Sequence, residues 1–405
     1  MANENPRARR INIIGTSARA AAHSAVRAGF LPAACDRFGD ADLRRYAVTR
    51  AAPPLSPASI GDWRDALASL GNAPWMYTGG FDRRPELLAA LDGVAPLWGN
   101  GHAVLDALLD VTALARAFAD GGLPMPETRT AGAAAPARRG WLVKPLRGGQ
   151  RIVKLEQDRA SIPRETAFYY QREVAGTPCS AVLCACPPHC RLLGMTRQLV
   201  GEAWLGAPPF TWCGNIGPID VPAPAAERLL GAATLLVSRY GLRGLFGIDF
   251  VLASDPRRGV SLRPVDVNPR YTASIEVLEH AGGLRALEHH ASAFREADAA
   301  RSDRDRPGGQ APDVPRRPGT IGKAVIFADR RVRVPRGRFH DVDASPCESF
   351  PTLADIPVPG TIVERGQPLL TVFARGDDDG DCLAALRART ESLLARFSRC
   401  EDPSY

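Results

Sequence analysis

The sequence predicts an α/β protein of two or three domains, on three observations. The chain has 405 residues, more than one domain usually holds. Residues 11–35 have the pattern of a strand, a helix and a second strand, which is the start of a parallel α/β unit. Residues 245–268 have the pattern of two apolar strands joined by a short turn. An apolar content of 45% is ordinary for a globular protein, so a sizeable core can form.

The N-terminal segment has the strand–helix–strand pattern that predicts a parallel sheet. Residues 11–14 are an apolar strand, residues 18–28 are an alanine-rich helix, and residues 31–35 are the second strand. The turn before the helix, Gly15-Thr16-Ser17, lacks the GxGxxG spacing of dinucleotide-binding folds. Asp36, directly after the second strand, could bind a ribose or cap a loop, and we favour the cap.

The next strand ends in a glycine turn. Residues 75–77 are apolar and lead into Gly79-Gly80, and open sheets bind ligands at such strand ends. Apolar residues at helical spacing then predict one helix over residues 104–119, which ends before Gly121-Gly122.

Lysine placement singles out the strand over residues 141–145. The chain contains lysine only at positions 144, 154 and 323. In so arginine-rich a sequence, Lys144 inside an apolar strand suggests a compact ammonium group that contacts nucleotide phosphates. Arg147-Gly148-Gly149 follows, and its glycines let backbone N–H groups approach phosphate oxygens. Lys154 lies in a polar alternating strand and is predicted to be solvated.

The hairpin over residues 245–268 carries the strongest chemical signal. Asp249 interrupts an apolar strand, and in the returning strand Asp266 and Asn268 lie two residues apart, on one face. Two carboxylates this close repel each other unless a positive charge lies between them, and hard oxygen ligands suit Mg²⁺. Arg270 follows, with a guanidinium suited to phosphate or carboxylate. A surface hairpin with solvated acids is the alternative, which the apolar flanks disfavour.

The remaining elements complete the chain. Residues 168–176 are predicted as a strand that enters a glycine turn, and residues 222–240 as an amphipathic helix. Residues 301–318 are rich in Arg, Asp, Pro and Gly and are predicted to be a linker. A strand over residues 323–327, a β-alternating segment over 356–372 and a helix over 381–397 follow.

Composition excludes several classes of protein. No run of 18 apolar residues exists, so we expect no membrane-spanning helix, and residues 11–15 are too short for a signal peptide. The net charge of +7 comes from scattered arginines without an aromatic-interleaved stripe, which disfavours nucleic-acid binding and fits anionic small substrates.

Four cysteines raise the possibility of a zinc site. Cys179, Cys184, Cys186 and Cys190 cluster, but their spacing matches neither paired knuckles nor a finger. We therefore predict reduced cysteines buried in a hairpin, and with them a cytoplasmic protein.

In their order and spacing, these features resemble the ATP-grasp carboxylate–amine ligases over nearly the whole chain. The matching segments are Gly-Leu-Pro-Met-Pro-Glu-Thr at 122–128, Leu-Val-Lys-Pro at 142–145, the glycine loop at 147–149, Gln-Arg-Glu-Val-Ala-Gly-Thr-Pro-Cys-Ser at 171–180, and Asp249 with Asp266-x-Asn268. The resemblance implies an ATP-grasp fold with a Rossmann-like pre-ATP-grasp domain and a small C-terminal β-rich domain. The implied divisions are 1–100 for the first domain, 101–300 for the ATP-grasp domain with a lid at about 129–185, 301–318 for the linker, and 319–405 for the C-terminal domain with its terminal helix.

The resemblance also implies a role for each matching residue. The implied roles are phosphate contact for Lys144, the lid loop for Arg147, Gly148, Gly149 and Gln150, an adenine-holding backbone for Gln171, Arg172 and Glu173, Mg²⁺ or Mn²⁺ ligation for Asp249, Asp266 and Asn268, and a clamp on the acyl phosphate for Arg270. ATP and the metal are thus the implied cofactors. The sequence departs from the family at Val111, where a lysine that contacts ATP is usual, and Glu173 is only a candidate for the ribose-binding acid.

Shorter matches indicate a subgroup. Gly15-Thr16-Ser17-Ala18-Arg19, Asn215-Ile216-Gly217-Pro218 and the run from Asp266 to Thr272 are similar to the tyramine–glutamate ligase group of methanofuran or methylofuran biosynthesis. The resemblance implies ATP-dependent amide formation through an acyl phosphate, from a small carboxylate and an amine. A carboxylase-like or amino-acid ligase of the same fold, and a nucleotide-binding module without catalysis, are the alternatives. No nucleic-acid or membrane partner is expected, and a homo-oligomer is left open.

Overall fold

The structure is a computed structural model, and it describes most of the chain. The described residues are 9–132, 136, 139–147, 152–155, 167–255, 259–295, 319–334, 347 and 349–398. The predictions for Gly148, Gly149, Gln150 and the linker at 301–318 lie outside these residues.

Strands and helices are numbered here in chain order. The strands are β1 Arg9–Gly15, β2 Phe30–Asp36, β3 Val48–Ala51, β4 Trp75–Tyr77, β5 Thr128–Thr130, β6 Trp141–Pro145, β7 Val153–Lys154, β8 Phe168–Arg172, β9 Thr177–Cys186, β10 His189–Val200, β11 Trp212–Gly217, β12 Gly244–Asp255, β13 Gly259–Asn268, β14 Thr320–Phe327, β15 Val332–Arg333, β16 Leu353–Ala354, β17 Ile362–Val363 and β18 Pro368–Gly376. The helices are α1 Arg19–Arg27, α2 Ala41–Tyr46, α3 Ile60–Ala68, α4 Pro85–Leu91, α5 His102–Leu109, α6 Val111–Asp120, α7 Ala223–Tyr240, α8 Ser274–Gly282, α9 Ala286–Phe294 and α10 Asp379–Ser398.

The N-terminal sheet is parallel and has the order β3-β2-β1-β4. Its central strand β1 buries Ile11 and Ile13 in the same core as the alanines of α1. The Asp36 carboxylate accepts hydrogen bonds from the backbone N–H groups of Ala18 at 2.6 Å, Phe38 at 2.8 Å and Gly39 at 2.6 Å. The prediction that Asp36 caps a loop is confirmed, because it fixes the loop after β2 and the start of α1 together.

A small antiparallel sheet in the middle of the chain has the order β5-β8-β6-β7. Trp141, Val143, Leu155 and Tyr170 form its own core. Strand β6 carries Lys144, and β8 carries Gln171. Strand β9 already belongs to the next sheet, so the small sheet ends with β8.

The largest sheet has eight strands in the order β13-β12-β9-β10-β11-β14-β18-β16. Strand β14 pairs with β11 in the register Asn215↔Lys323. The C-terminal strands therefore continue the sheet that holds the β12–β13 hairpin, and among the described residues only β15 and β17 form a separate ribbon. The domain divisions given above stay a prediction.

The helix predicted over residues 104–119 is two helices, so that prediction is wrong. The chain breaks between α5 and α6 at Asp110, whose carboxylate accepts hydrogen bonds from the backbone N–H groups of Thr112 and Ala113, both at 3.0 Å. The Asp110 side chain competes with the helical backbone for these groups and so begins a new helix. Val111 is the first residue of that helix and is buried.

The structure bears on the predictions about membrane-spanning helices and about the cysteines. Among the described residues, no helix combines the length and the apolar character needed to cross a bilayer. None of the eight described cysteines forms a disulfide bond, and of the four predicted to be buried, Cys179 and Cys184 are buried whereas Cys186 and Cys190 are half-buried.

Candidate active site

The β12–β13 hairpin brings the three predicted metal ligands together. Asp249 lies opposite Asp266, and Asn268 lies opposite Gly247. The side-chain amide of Asn268 donates a hydrogen bond to one Asp249 oxygen at 2.9 Å, and Gln198 of β10 donates to the other at 2.9 Å. The Asp249 carboxylate is therefore held from two sides, and its ligand role stays a prediction.

Negative charge is concentrated at this hairpin. Burial, followed by the charge of Asp266, raises the pKa of Asp249 to about 6, although hydrogen bonds from Ser180 and Asn268 act in the opposite direction. A carboxylate whose ionisation is opposed in this way favours a neighbouring cation.

Asp266 already has a cationic neighbour. Nη2 of Arg83 donates to both carboxylate oxygens, at 2.5 and 2.6 Å. Arg83 lies between β4 and α4, so this ion pair joins the N-terminal sheet region to the hairpin. The Asp266 charge raises the pKa of the Arg83 guanidinium, which stays protonated at any physiological pH.

Arg270 is fixed directly after the hairpin. Its guanidinium forms an ion pair with Asp82 at 3.0 Å and donates to the Asn268 side-chain oxygen at 3.2 Å and to the Tyr271 carbonyl at 3.1 Å. Burial would raise the pKa of Asp82, but Arg270 lowers it overall, so this acid is ionised. Arg270 is thus oriented beside Asn268, where it can contact an anion.

Lys144 connects the small sheet to the hairpin. Its ammonium group is buried and donates to the Gln171 side-chain oxygen at 3.0 Å and to the Val265 carbonyl at 3.1 Å. Val265 directly precedes Asp266 in β13, so the Lys144 ammonium group lies beside the strand that carries Asp266.

The other predicted nucleotide-binding residues are more dispersed. The Arg172 side chain is exposed and donates to the Arg139 carbonyl at 3.0 Å, and Glu173 pairs with Lys154 at 2.8 Å. Their backbone N–H groups bind the carbonyls of Glu127 and Gly140. The adenine role of residues 171–173 therefore stays a prediction, and among the described residues no hydrogen bond or ion pair joins Glu173 to Lys144.

The lid loop is described only at its first residue. Arg147 is half exposed and pairs with Glu86 of α4 at 2.8 Å. This contact again joins the small sheet to the N-terminal part of the chain.

A cavity of about 760 Å³ adjoins the hairpin. The strand ends of the N-terminal sheet line it at Ser17 and Gly80, and the hairpin side contributes Asp249, Asn268 and Arg270. Its volume suits a small-molecule substrate. Lys144 and Asp266 do not line the cavity. The predicted phosphate-binding residues therefore border it only through the hairpin residues Asp249 and Asn268 and the adjoining Arg270.

Another wall of the cavity comes from β11 and the C-terminal strands and is partly apolar. Trp212, Val325, Ile362 and Leu370 line it, together with Lys323, whose ammonium nitrogen lies 5.8 Å from the Trp212 ring centre. This wall can bind a ring or hydrocarbon portion of a substrate.

Buried ion pairs brace the same wall. Lys323 donates to Glu276 at 2.7 Å, and Arg19 of α1 donates to both Glu276 oxygens. Arg19 also pairs with Asp355 at 2.9 Å. Helices α1 and α8 are thereby connected to the C-terminal strands by charges that are almost wholly buried.

The oxygen donors fit a divalent cation that is shared with a phosphate ligand. Within the described residues, no group of three or more His, Cys, Asp or Glu side chains is arranged to hold a metal ion. Two carboxylates and an amide oxygen are, however, a usual partial ligand set for Mg²⁺, which takes its remaining ligands from phosphates and water. The raised pKa of Asp249 agrees with a position that a cation would stabilise.

Sequence reasoning missed four contributors to this region. Asp82 and Arg83 follow the Gly79-Gly80 turn at a strand end, and that position could have indicated them. Gln198 and Ser180 carry no local signal, because only the pairing of β9 with β10 and β12 brings them to Asp249.

Comparison with protein families identifies one domain. Residues 110–274 match the model of the ATP-grasp domain. No curated protein matches the sequence.

Solved structures show the same fold over nearly the whole chain. The L-amino acid ligase of Bacillus licheniformis has a TM-score of 0.66 at 12% identity, covering 96% of this chain and 98% of that chain. N5-carboxyaminoimidazole synthase of Aspergillus clavatus, in complex with ADP and 5-aminoimidazole ribonucleotide, has a TM-score of 0.65 at 12% identity, with coverages of 96% and 99%. Biotin carboxylase of Campylobacter jejuni, in an ATP-analogue complex, has a TM-score of 0.63 at 12% identity, with 95% of both chains covered. The chain therefore contains an ATP-grasp domain and has an ATP-grasp fold.

Proposed function

We propose that this protein is an ATP-dependent ligase that joins a small carboxylate to an amine through an acyl phosphate and releases ADP. The observation that carries the proposal is the Asp249–Asn268–Asp266 arrangement beside a cavity of substrate size. The ATP-grasp domain match supports the use of ATP. When bound, ATP would supply the phosphoryl group that activates the carboxylate, and Mg²⁺ or Mn²⁺ would neutralise the phosphates.

The predicted site residues would each have a distinct role in this reaction. Asp249, Asp266 and Asn268 would hold the divalent cation, since they present oxygen atoms on one hairpin. Lys144 would contact the phosphates, because its buried ammonium group has two neutral acceptors and no carboxylate partner among the described residues. Arg270 would orient the substrate carboxylate and stabilise charge that develops during transfer.

The cavity suggests how the amine is held. The hairpin lines it with polar side chains, and the wall from β11 and the C-terminal strands contains Trp212, Val325 and Leu370. An amine with a ring or hydrocarbon body would bury that body against this wall and extend its nitrogen toward the activated carboxylate. No nucleophilic side chain is needed, since the amine itself displaces phosphate.

We propose glutamate, through its γ-carboxyl group, and tyramine or a related amine as the first substrates to test. This choice depends on the resemblance to the methylofuran-type ligases, and an aromatic amine agrees with the apolar wall. A cytoplasmic location, the lack of nucleic-acid or membrane partners and a possible homo-oligomer are part of the same proposal.

The test is ADP release from MgATP with glutamate and a panel of aromatic amines, followed by mass analysis of the product. We expect ADP release that depends on the amine, a product whose mass equals acid plus amine less water, and no reaction by Asp266→Ala. ADP release that requires bicarbonate would instead support a carboxylase-like reaction. Nucleotide binding without turnover on any substrate would support a non-catalytic module.

A further inference from the structure

One short segment of the N-terminal part contacts three residues of the predicted nucleotide region. Asp82 pairs with Arg270 at 3.0 Å, Arg83 pairs with Asp266 at 2.5 Å, and Glu86 pairs with Arg147 at 2.8 Å. These three residues lie in one contact segment, residues 82–86. Each of its ion pairs joins opposite charges from distant parts of the sequence.

The Arg83 contact differs from the other two because it involves a carboxylate that is predicted to bind the metal ion. A single nitrogen of Arg83 lies between the two oxygens of Asp266, at 2.5 and 2.6 Å. A divalent cation held by the same carboxylate needs at least one of these oxygens. Arg83 and the cation therefore compete for one carboxylate.

Charge balance explains why an arginine lies here. Asp249 and Asp266 are cross-strand neighbours, and without a positive charge between them they would repel each other. The Asp266–Arg83 pair is about four-fifths buried, so solvent screens it only in part. Arg270 forms its ion pair with Asp82, whereas the ion pair that Asp266 forms within the described residues is with Arg83.

The geometry points to Arg83 as an exchangeable counter-cation of Asp266. It neutralises the carboxylate until a divalent cation binds, and the displaced guanidinium then contacts the phosphate groups that arrive with the cation. Arg83 is in this way a phosphate-binding residue supplied by the N-terminal domain, and it couples entry of the metal nucleotide to the contact segment. The inference rests on the proposed use of metal and ATP by the same hairpin.

The exchange predicts opposite effects on two affinities. Replacing Arg83 removes the competitor, so Mn²⁺ without nucleotide should bind about tenfold more tightly, a change that one charge-assisted contact commonly supports. The same replacement removes a phosphate contact, so the dissociation constant for ATP at saturating Mg²⁺ should rise about tenfold. A residue that only supports the fold would weaken both affinities together.

The experiment titrates Mn²⁺ into the full chain and follows free Mn²⁺ by electron paramagnetic resonance. The proteins are wild type, Arg83→Met, the neighbouring control Arg84→Met, Asp266→Asn and the double variant Arg83→Met/Asp266→Asn. The Arg84 side chain makes no hydrogen bond or ion pair with any residue that the structure describes, so it is a matched control for charge and position. Isothermal titration of ATP at saturating Mg²⁺ is the second measurement.

We expect tighter Mn²⁺ and weaker ATP binding in Arg83→Met, unchanged values in Arg84→Met, and loss of the Mn²⁺ gain in the double variant. Unchanged or weaker Mn²⁺ binding by Arg83→Met, or no Mn²⁺ binding by any of the proteins, overturns the inference. If Arg83→Met does not fold, Arg83→Gln is measured against the same outcomes. Failure of the proposed function is seen separately, as absent ADP release with the Mn²⁺ exchange intact.

Discussion

The side-chain amide of Asn268 donates a hydrogen bond to the Asp249 carboxylate at 2.9 Å, across the two strands of the hairpin. Gln198 donates to the second oxygen of the same carboxylate from β10. Both oxygens are therefore oriented by neutral amides, which leave the negative charge of Asp249 in place. In the proposed function, the charge of this side chain matters more than its shape.

Asp249→Asn should abolish most of the activity while the fold persists. Asparagine has nearly the same shape but no charge, so ADP formation should fall about 10²-fold or more, as for other lost electrostatic contacts. Asp120→Asn is the control, since Asp120 forms an exposed pair with Arg239 away from the hairpin. ADP release at saturating substrate is the measurement, and near-wild-type turnover by Asp249→Asn would remove this residue from the mechanism.

Lys144→Met should weaken nucleotide binding. The ammonium group is buried beside Gln171 and Val265, and its loss should raise the dissociation constant for ATP by about tenfold or more. Arg129→Met removes a cation from the same small sheet, where Arg129 is half exposed and pairs with Glu127. Calorimetric titration of both variants with ATP tests this, and equal affinities for the two would argue against Lys144.

Glu276→Gln should destabilise the protein strongly. Glu276 is buried between Arg19 and Lys323, which hold its pKa well below the usual range although burial acts against them. Without its charge the buried Lys323 loses its carboxylate partner and Arg19 keeps only Asp355 and Asp42, so the free energy of unfolding should fall by about 3–5 kcal/mol.

The matched control for Glu276 is Glu127→Gln. Glu127 pairs with Arg129 at an exposed position, and loss of such a pair should cost less than about 1 kcal/mol. Urea unfolding of the two variants makes the comparison. Losses of similar size would show that the buried pairs contribute no more than the exposed pair.

His290 predicts a loss of stability at acidic pH. Its Nδ1 accepts the Leu245 backbone N–H at 3.0 Å, and its Nε2 donates to the Trp98 carbonyl at 3.0 Å, so the neutral ring is required. Burial lowers the pKa of His290 to about 4. Between about pH 6.5 and 4 the unfolded chain binds the proton and the folded chain does not, so the free energy of unfolding should fall by up to about 3 kcal/mol as the pH decreases.

The measurement compares wild type with His290→Gln at pH 7.5 and pH 4.5. The free energy of unfolding of the variant should be lower than that of wild type at pH 7.5. The decrease in this free energy from pH 7.5 to pH 4.5 should be smaller in the variant, because the contribution of His290 is absent. An unchanged difference would mean that the ring is protonated in the folded protein or does not titrate in this range.

The strand limits were predictable from local sequence where apolar runs and turns are clear. Residues 141–145 form a strand with the predicted bounds, and a strand begins at Trp75 and ends before the glycine turn, as predicted. The hairpin with Asp249 opposite Asp266 follows from the apolar runs and the turn between them. The break at Asp110 was missed because apolar spacing continues across it, while the cap depends on the carboxylate itself.

Long-range pairing was not predictable in the same way. Strand β14 was expected from its sequence, but which strand it joins depends on β11, far away in the chain. The position of Arg83 after a strand end could have indicated a ligand site, but not its partner, because Asp266 lies 183 residues further along the chain.

The pairing of β11 with β14 has a consequence for any shortened form of this protein. A polypeptide cut within the predicted linker would leave the backbone groups of β11 that pair with β14 facing water, as an open sheet edge. Such an edge is a template for self-association, so we expect the truncated chain to aggregate instead of folding as a separable core.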